Sequence, residues 1–81
     1  MLQVIITPKA RKQYKHLPSR EQTKIKKKLI ALGDDPYAGK KLAGALEKLR
    51  SLRAWPYRII YYIDKKKIFV VSIIHRQGAY L

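Results

Sequence analysis

Cysteine is absent from the 81 residues, which excludes disulfides, thiolate metal sites and a cysteine nucleophile. Acidic side chains are scarce, five in all, and histidine occurs only as His16 and His75. So few carboxylates and imidazoles make a protein-built metal site improbable, and no metal or other cofactor is expected. Long apolar runs are missing too. The longest, Ile68 to Ile74, contains Ser72 and falls far short of the roughly 20 residues that cross a bilayer. The opening Met-Leu-Gln-Val-Ile-Ile-Thr has neither a basic leader nor an apolar segment long enough for a signal peptide, so a cytoplasmic protein with no membrane partner is expected.

Positive charge is what the chain has in excess. Lys and Arg number 19 against 5 Asp and Glu, a formal net charge of +14 at pH 7. A surface so charged gains by displacing counterions from phosphates, so a polyanion is the expected partner. Length allows one small domain, residues 1–81, and a hydrophobic share of 47% lets it fold around a limited core.

Leu2 to Thr7 is short, apolar and β-branched, and reads as a strand. Thr7-Pro8 then suits a helix start, with Thr7 as N-cap and Pro8 at the first helical position. Ala10, Tyr14 and Leu17 make its apolar stripe, and Leu17-Pro18 ends it. Ser19 and Gln22, at capping-box spacing, start a second helix. Ile25, Leu29 and Leu32 line its buried side, and Gly33 stands where a glycine cap belongs. From Lys9 to Lys28 the pair carries nine basic residues against Glu21 alone. Lys26-Lys27-Lys28 reads either as a solvated outer face or as a phosphate-binding one.

Gly33 to Gly44, punctuated by Asp34-Asp35-Pro36, reads as an ordered connection. Leu49 to Ala54, Tyr57 to Asp64 and Lys67 to His75 then read as three strands, the last two reversing at the Lys65-Lys66-Lys67 run. The order is β-α-α-β-β-β, an α+β fold with a mainly antiparallel sheet, one face covered by the helical hairpin and the other open for a ligand.

The residues that carry chemistry gather in the sheet: Lys48, Arg50, Arg53, Arg58, His75, Arg76 and Tyr80. Arg58 lies inside an otherwise apolar strand, and a guanidinium there needs water, a carboxylate such as Asp64 or a partner anion. Strand alternation places Arg58, Ile60 and Tyr62 on one face. A two-residue turn at Lys65-Lys66 sets Arg58 opposite Ile73 and brings His75 to its face. A three-residue loop sets it opposite Ile74 and brings Arg76 instead. His75 reads either as a proton-transfer group or as a structural hydrogen-bonder at a strand end. Trp55 and the six tyrosines read mainly as core or rim, any exposed one being able to stack on a base.

Arg50-Ser51-Leu52-Arg53, Tyr57-Arg58-Ile59-Ile60-Tyr61 and Ile74-His75-Arg76 with Tyr80 following strongly resemble the RelE/ParE superfamily of type II toxins. The helical hairpin ending near Asp35-Pro36 and the Leu42-x-Gly44-x-Leu46 segment add to the likeness. The resemblance implies a twisted sheet with two N-terminal helices on one side, a cognate antitoxin as partner, and one of two activities. RelE-like members cut mRNA in the ribosomal A site without a metal; ParE-like members poison DNA gyrase. It further implies that Arg58 and Arg76 act at the scissile phosphate, that Tyr80 stacks on the substrate base or assists proton transfer, and that Arg53 contacts RNA. The lysine pair of some ribonuclease members falls here on Leu49 and Ser51, leaving Lys48 and Arg50 one residue out of step.

Overall fold

A computed structural model describes residues 1–42, 44 and 48–78. Two expectations therefore lie outside the described residues, the one on Tyr80 and the Leu46 end of the Leu42-x-Gly44-x-Leu46 segment. The chain runs β1 (Gln3–Ile6), α1 (Pro8–Lys15), α2 (Ser19–Asp34), β2 (Lys40–Lys41), β3 (Arg50–Ala54), β4 (Tyr57–Asp64) and β5 (Lys67–His75), then a short 3₁₀ turn, Arg76–Gly78. Among the described residues the strands form one sheet in the order β1-β5-β4-β3-β2. β1 runs parallel to β5 and every other pair is antiparallel. The α+β class, the two helices and the last three strands stand as expected. The two-residue β2 is an addition, paired with β3 in what reads as plain connection.

Thr7 is the expected N-cap, its hydroxyl oxygen accepting from the Ala10 N–H, with Pro8 opening α1. The same hydroxyl donates to the Val70 carbonyl at 2.8 Å, so the cap also pins the helix to β5. β1 pairs with Lys67 to Val70, and among the described residues the rest of that side of β5 has no strand neighbour. Gln13 of α1 takes its place: its Oε1 accepts the Ile73 N–H at 2.7 Å and the Ser72 hydroxyl at 3.2 Å. A side-chain amide thus satisfies backbone that a longer β1 would have paired.

The start of α2 differs from expectation. Ser19 is already helical and the flanking residue is Pro18, which offers no side-chain cap. Gln22 does not reach back to Ser19; its amide donates to the Tyr14 and Leu17 carbonyls at 3.1 and 3.0 Å. The tight Leu17-Pro18 join brings the Tyr14 carbonyl of α1 and the Leu17 carbonyl just beyond it within its reach, and satisfying them outweighs a reciprocal cap. Gly33 also differs, lying within the helix, which continues to Asp34. The Leu2 N–H donates to the Gly33 carbonyl at 2.9 Å, and a Cβ on Gly33 would stand 3.2 Å from the Leu2 carbonyl oxygen. Close approach of the chain start to the helix, rather than a cap, accounts for the glycine.

Ile25, Leu29 and Leu32 with Ala10 close on Ala54, Ile59, Tyr61, Ile68, Val70 and Ile73 from the sheet. Each fully buried aliphatic side chain contributes about 1.5–3 kcal/mol relative to exposure. Tyr61 is fully buried, yet its hydroxyl is satisfied: it donates to the Pro36 carbonyl at 2.8 Å and accepts the Gly39 N–H at 2.9 Å. Gly39 is obligatory there, since a Cβ would sit 2.7 Å from the Tyr61 oxygen. The connection after α2 is thereby fastened to the middle of the sheet.

Candidate nucleic-acid interface

The β4–β5 hairpin settles which basic residues share the face of Arg58. Its turn is the two residues Lys65 and Lys66, both with positive φ (49° and 64°), pairing Asp64 with Lys67 and Ile63 with Ile68. Two-residue turns with both residues left-handed match strand twist, which is why lysines tolerate the conformation here. A register shift beside Ile60 and Tyr61 then leaves Val71 as an extra residue on β5, and Arg58 pairs with Ile74. The short turn and the Ile74 partner, which appeared as alternatives, occur together because the bulge adds one residue between them. His75 pairs with Tyr57 and packs edge-on against its ring, centroids 5.4 Å apart, so it faces away from Arg58. Its Nδ1 accepts the Gln77 N–H at 3.3 Å.

Arg53 is the cross-strand partner of Arg58, so the two share the face that the helices leave open. Arg76 joins this end through its own backbone, its N–H donating to the Pro56 carbonyl at 2.8 Å. Trp55, in the β3–β4 turn and 54% exposed, stands among them. The Arg76 guanidinium carbon lies 4.8 Å from the Trp55 ring centroid and that of Arg53 5.9 Å from it. Lys24 of α2 bonds the Trp55 carbonyl and pairs with Glu21 at 3.0 Å. Among the described residues no carboxylate pairs with Arg53, Arg58 or Arg76; Asp64 lies six residues along β4 from Arg58, about 20 Å at strand rise. The arrangement presents three permanent cations and an exposed ring to solvent, suited to a phosphate and its base.

Arg50 and Lys48 belong to the other end. Arg50 pairs with Tyr61, which puts it on the helix-covered face. Its guanidinium donates to the Gly39 carbonyl at 2.7 Å and lies over the Tyr37 ring at 4.8 Å. Lys48 is exposed on the wall of a groove of about 680 Å³ shared with Tyr37, Lys41, Arg50, Tyr62 and Asp64. The residues singled out from sequence are thus divided: Arg53, Arg58 and Arg76 together, His75 at the same end on the opposite face, and Arg50 with Lys48 apart. Trp55, read with the tyrosines as core or rim, is exposed beside Arg53 and Arg76. Its signal was present, for a large ring in a two-residue reversal between strands, next to Arg53 and before Pro56, has little chance of burial.

The family model described as the ParE toxin of type II toxin–antitoxin systems matches residues 4–80. The chain belongs to the RelE/ParE superfamily of toxins. Its fold is that of solved members. The RelBE2 toxin–antitoxin complex from Mycobacterium tuberculosis matches with TM-score 0.85 and 28% identity over 93% of this chain and 98% of that one. The isolated RelE toxin from E. coli matches with TM-score 0.76 and 30% identity over 93% of this chain and 84% of that one. The archaeal RelE–RelB complex from Pyrococcus horikoshii shares the fold, with TM-score 0.78 at 22% identity over 96% and 98% of the two chains. A search of curated proteins finds no match. No helix among the described residues is long and apolar enough to cross a membrane.

Proposed function

We propose that this toxin is a ribosome-dependent endoribonuclease that cuts mRNA in the A site, acting where Arg53, Arg58 and Arg76 meet. The observation that carries the reading is that Arg53 and Arg58 pair on the open face while the Arg53 and Arg76 guanidinium groups both approach the Trp55 ring, with no carboxylate partner for the three among the described residues. Likeness to the RelE toxin at 30% identity supports it. In the reaction the RNA 2′-oxygen forms a bond to the adjacent phosphorus and the bond to the 5′-oxygen breaks, leaving a 2′,3′-cyclic phosphate and a 5′-hydroxyl. One proton leaves the 2′-hydroxyl and one reaches the departing oxygen. Arg58 and Arg76 stabilise the charge that builds on the phosphorane-like transition state as bidentate donors. An arginine is a poor base and His75 faces away from Arg58, so proton transfer is assigned to Tyr80. Arg53 holds flanking RNA, and Lys48 and Arg50 add positive potential at the far end.

A cognate antitoxin is the expected protein partner, as in the toxin–antitoxin complexes of similar fold. Its acidic or amphipathic segment would cover the basic open face. The second reading, gyrase inhibition without nuclease chemistry, is favoured by the ParE description of the matching family model. Mapping mRNA 5′ ends in a reconstituted translation reaction separates the two. Cuts at ribosome-occupied codons that vanish without ribosomes are expected. Intact mRNA with folded toxin, together with a block of gyrase supercoiling, would replace the first reading by the second.

A further inference from the structure

We infer that Trp55 is a positioning residue of this site: its ring gathers the Arg76 and Arg53 guanidinium groups into one phosphate clamp beside Arg58. The inference rests on the ribonuclease reading and adds to it a residue that does no chemistry itself. Two like charges brought to one anion repel each other in the free protein, and long arginine side chains lose rotamer freedom when fixed. An aromatic face offsets both costs, because the ring quadrupole attracts a cation placed over it without neutralising it. A carboxylate would hold the arginines as well, but would compete with the phosphate they are to bind. The distances fit this use, 4.8 Å for Arg76 and 5.9 Å for Arg53.

The backbone turn that carries the ring is held at three points. β3 and β4 pair up to Ala54 and Tyr57 on either side of the turn, Lys24 bonds the Trp55 carbonyl, and the Arg76 N–H bonds the Pro56 carbonyl. That last bond ties the backbone of Arg76 to the same turn its side chain lies over. At 54% exposure Trp55 contributes little to the core, so burial does not explain a tryptophan there.

The test compares wild type, Trp55→Phe and Trp55→Leu for mRNA cleavage on translating ribosomes, for melting temperature, and for the guanidinium NMR resonances of Arg53 and Arg76. Trp55→Leu is expected to lower kcat about tenfold with KM and melting temperature little changed, and Trp55→Phe to recover part of the loss. In wild type the Arg76 Nε–H resonance is expected to be displaced by the indole ring current, and to return to its ordinary position in Trp55→Leu. Wild-type cleavage equalled by Trp55→Leu would overturn the role of Trp55 and leave the ribonuclease reading intact. So would an undisplaced Arg76 resonance in wild type, or a loss in Trp55→Leu that merely follows a lower melting temperature. Absence of cleavage by folded wild type would remove the ribonuclease reading, and the inference with it.

Discussion

Arg50 and Arg58 lie three strand positions apart across neighbouring strands, yet the fold treats them in opposite ways. Arg50 donates to the Gly39 carbonyl and lies over Tyr37, so its guanidinium is committed to holding the connection after α2. Arg58 shares the open face with Arg53, whose guanidinium approaches the Trp55 ring as that of Arg76 does, and has no carboxylate partner among the described residues. With 19 basic residues, charge alone does not mark a site. Which cations the fold has already engaged, and which it leaves to meet an anion, is the more telling distinction.

The largest effect that would sharpen this contrast is catalytic. Arg58→Ala and Arg76→Ala are each expected to lower cleavage by about 10²–10³, with melting temperature held, as measured by mRNA 5′-end counts beside thermal denaturation. Next comes a change that frees Arg50 without touching it. Gly39→Ala forces a Cβ to 2.7 Å from the Tyr61 oxygen and 3.0 Å from the Ser51 carbonyl, and should cost about 1–3 kcal/mol in denaturant unfolding. Loss of activity per folded molecule in that variant would mean that the two ends are not independent.

Tyr61→Phe is smaller and depends on pH. It strands the Gly39 N–H and the Pro36 carbonyl, for about 1–2 kcal/mol at neutral pH. Burial, the largest cause, raises the Tyr61 pKa above the ordinary value near 10, against lowering by the Gly39 bond and the Arg50 charge. A phenol with a raised pKa in the folded state keeps its proton there after the unfolded chain has lost it. Its contribution is therefore whole below about pH 10 and falls as pH rises through the folded value. The stability gap between wild type and Tyr61→Phe should narrow above pH 10 in unfolding curves; a gap that widens would contradict the buried neutral phenol. Smallest is Lys66→Gly, which relieves a positive-φ lysine and should add about 1 kcal/mol while leaving cleavage unchanged.

Much of the fold was legible because local physics and tertiary structure agree. Thr7-Pro8 starts a helix on capping grounds, and the long β-branched runs of β4 and β5 extend over the residues read from them. What was not legible depends on distant partners. Gln22 serves α1 rather than its own helix, Gly33 makes room for Leu2, and the bulge at Val71 decides whether Arg76 or His75 shares the face of Arg58. No alternation rule contains that bulge, since one extra residue reverses every face beyond it. At the site, the arginines were visible as residue types, but the division of Arg50 from the others was not. It rests on the Gly39 carbonyl and the Tyr37 ring, more than ten residues away in sequence.

The most direct test of that division pairs melting temperature with ribosome-dependent cleavage in Arg50→Ala and Arg58→Ala. Arg50→Ala is predicted to melt earlier while cutting at near wild-type rate per folded molecule, and Arg58→Ala to melt as wild type while cutting is lost. The reverse pattern, a stable and inactive Arg50→Ala beside an unstable and active Arg58→Ala, would contradict the account.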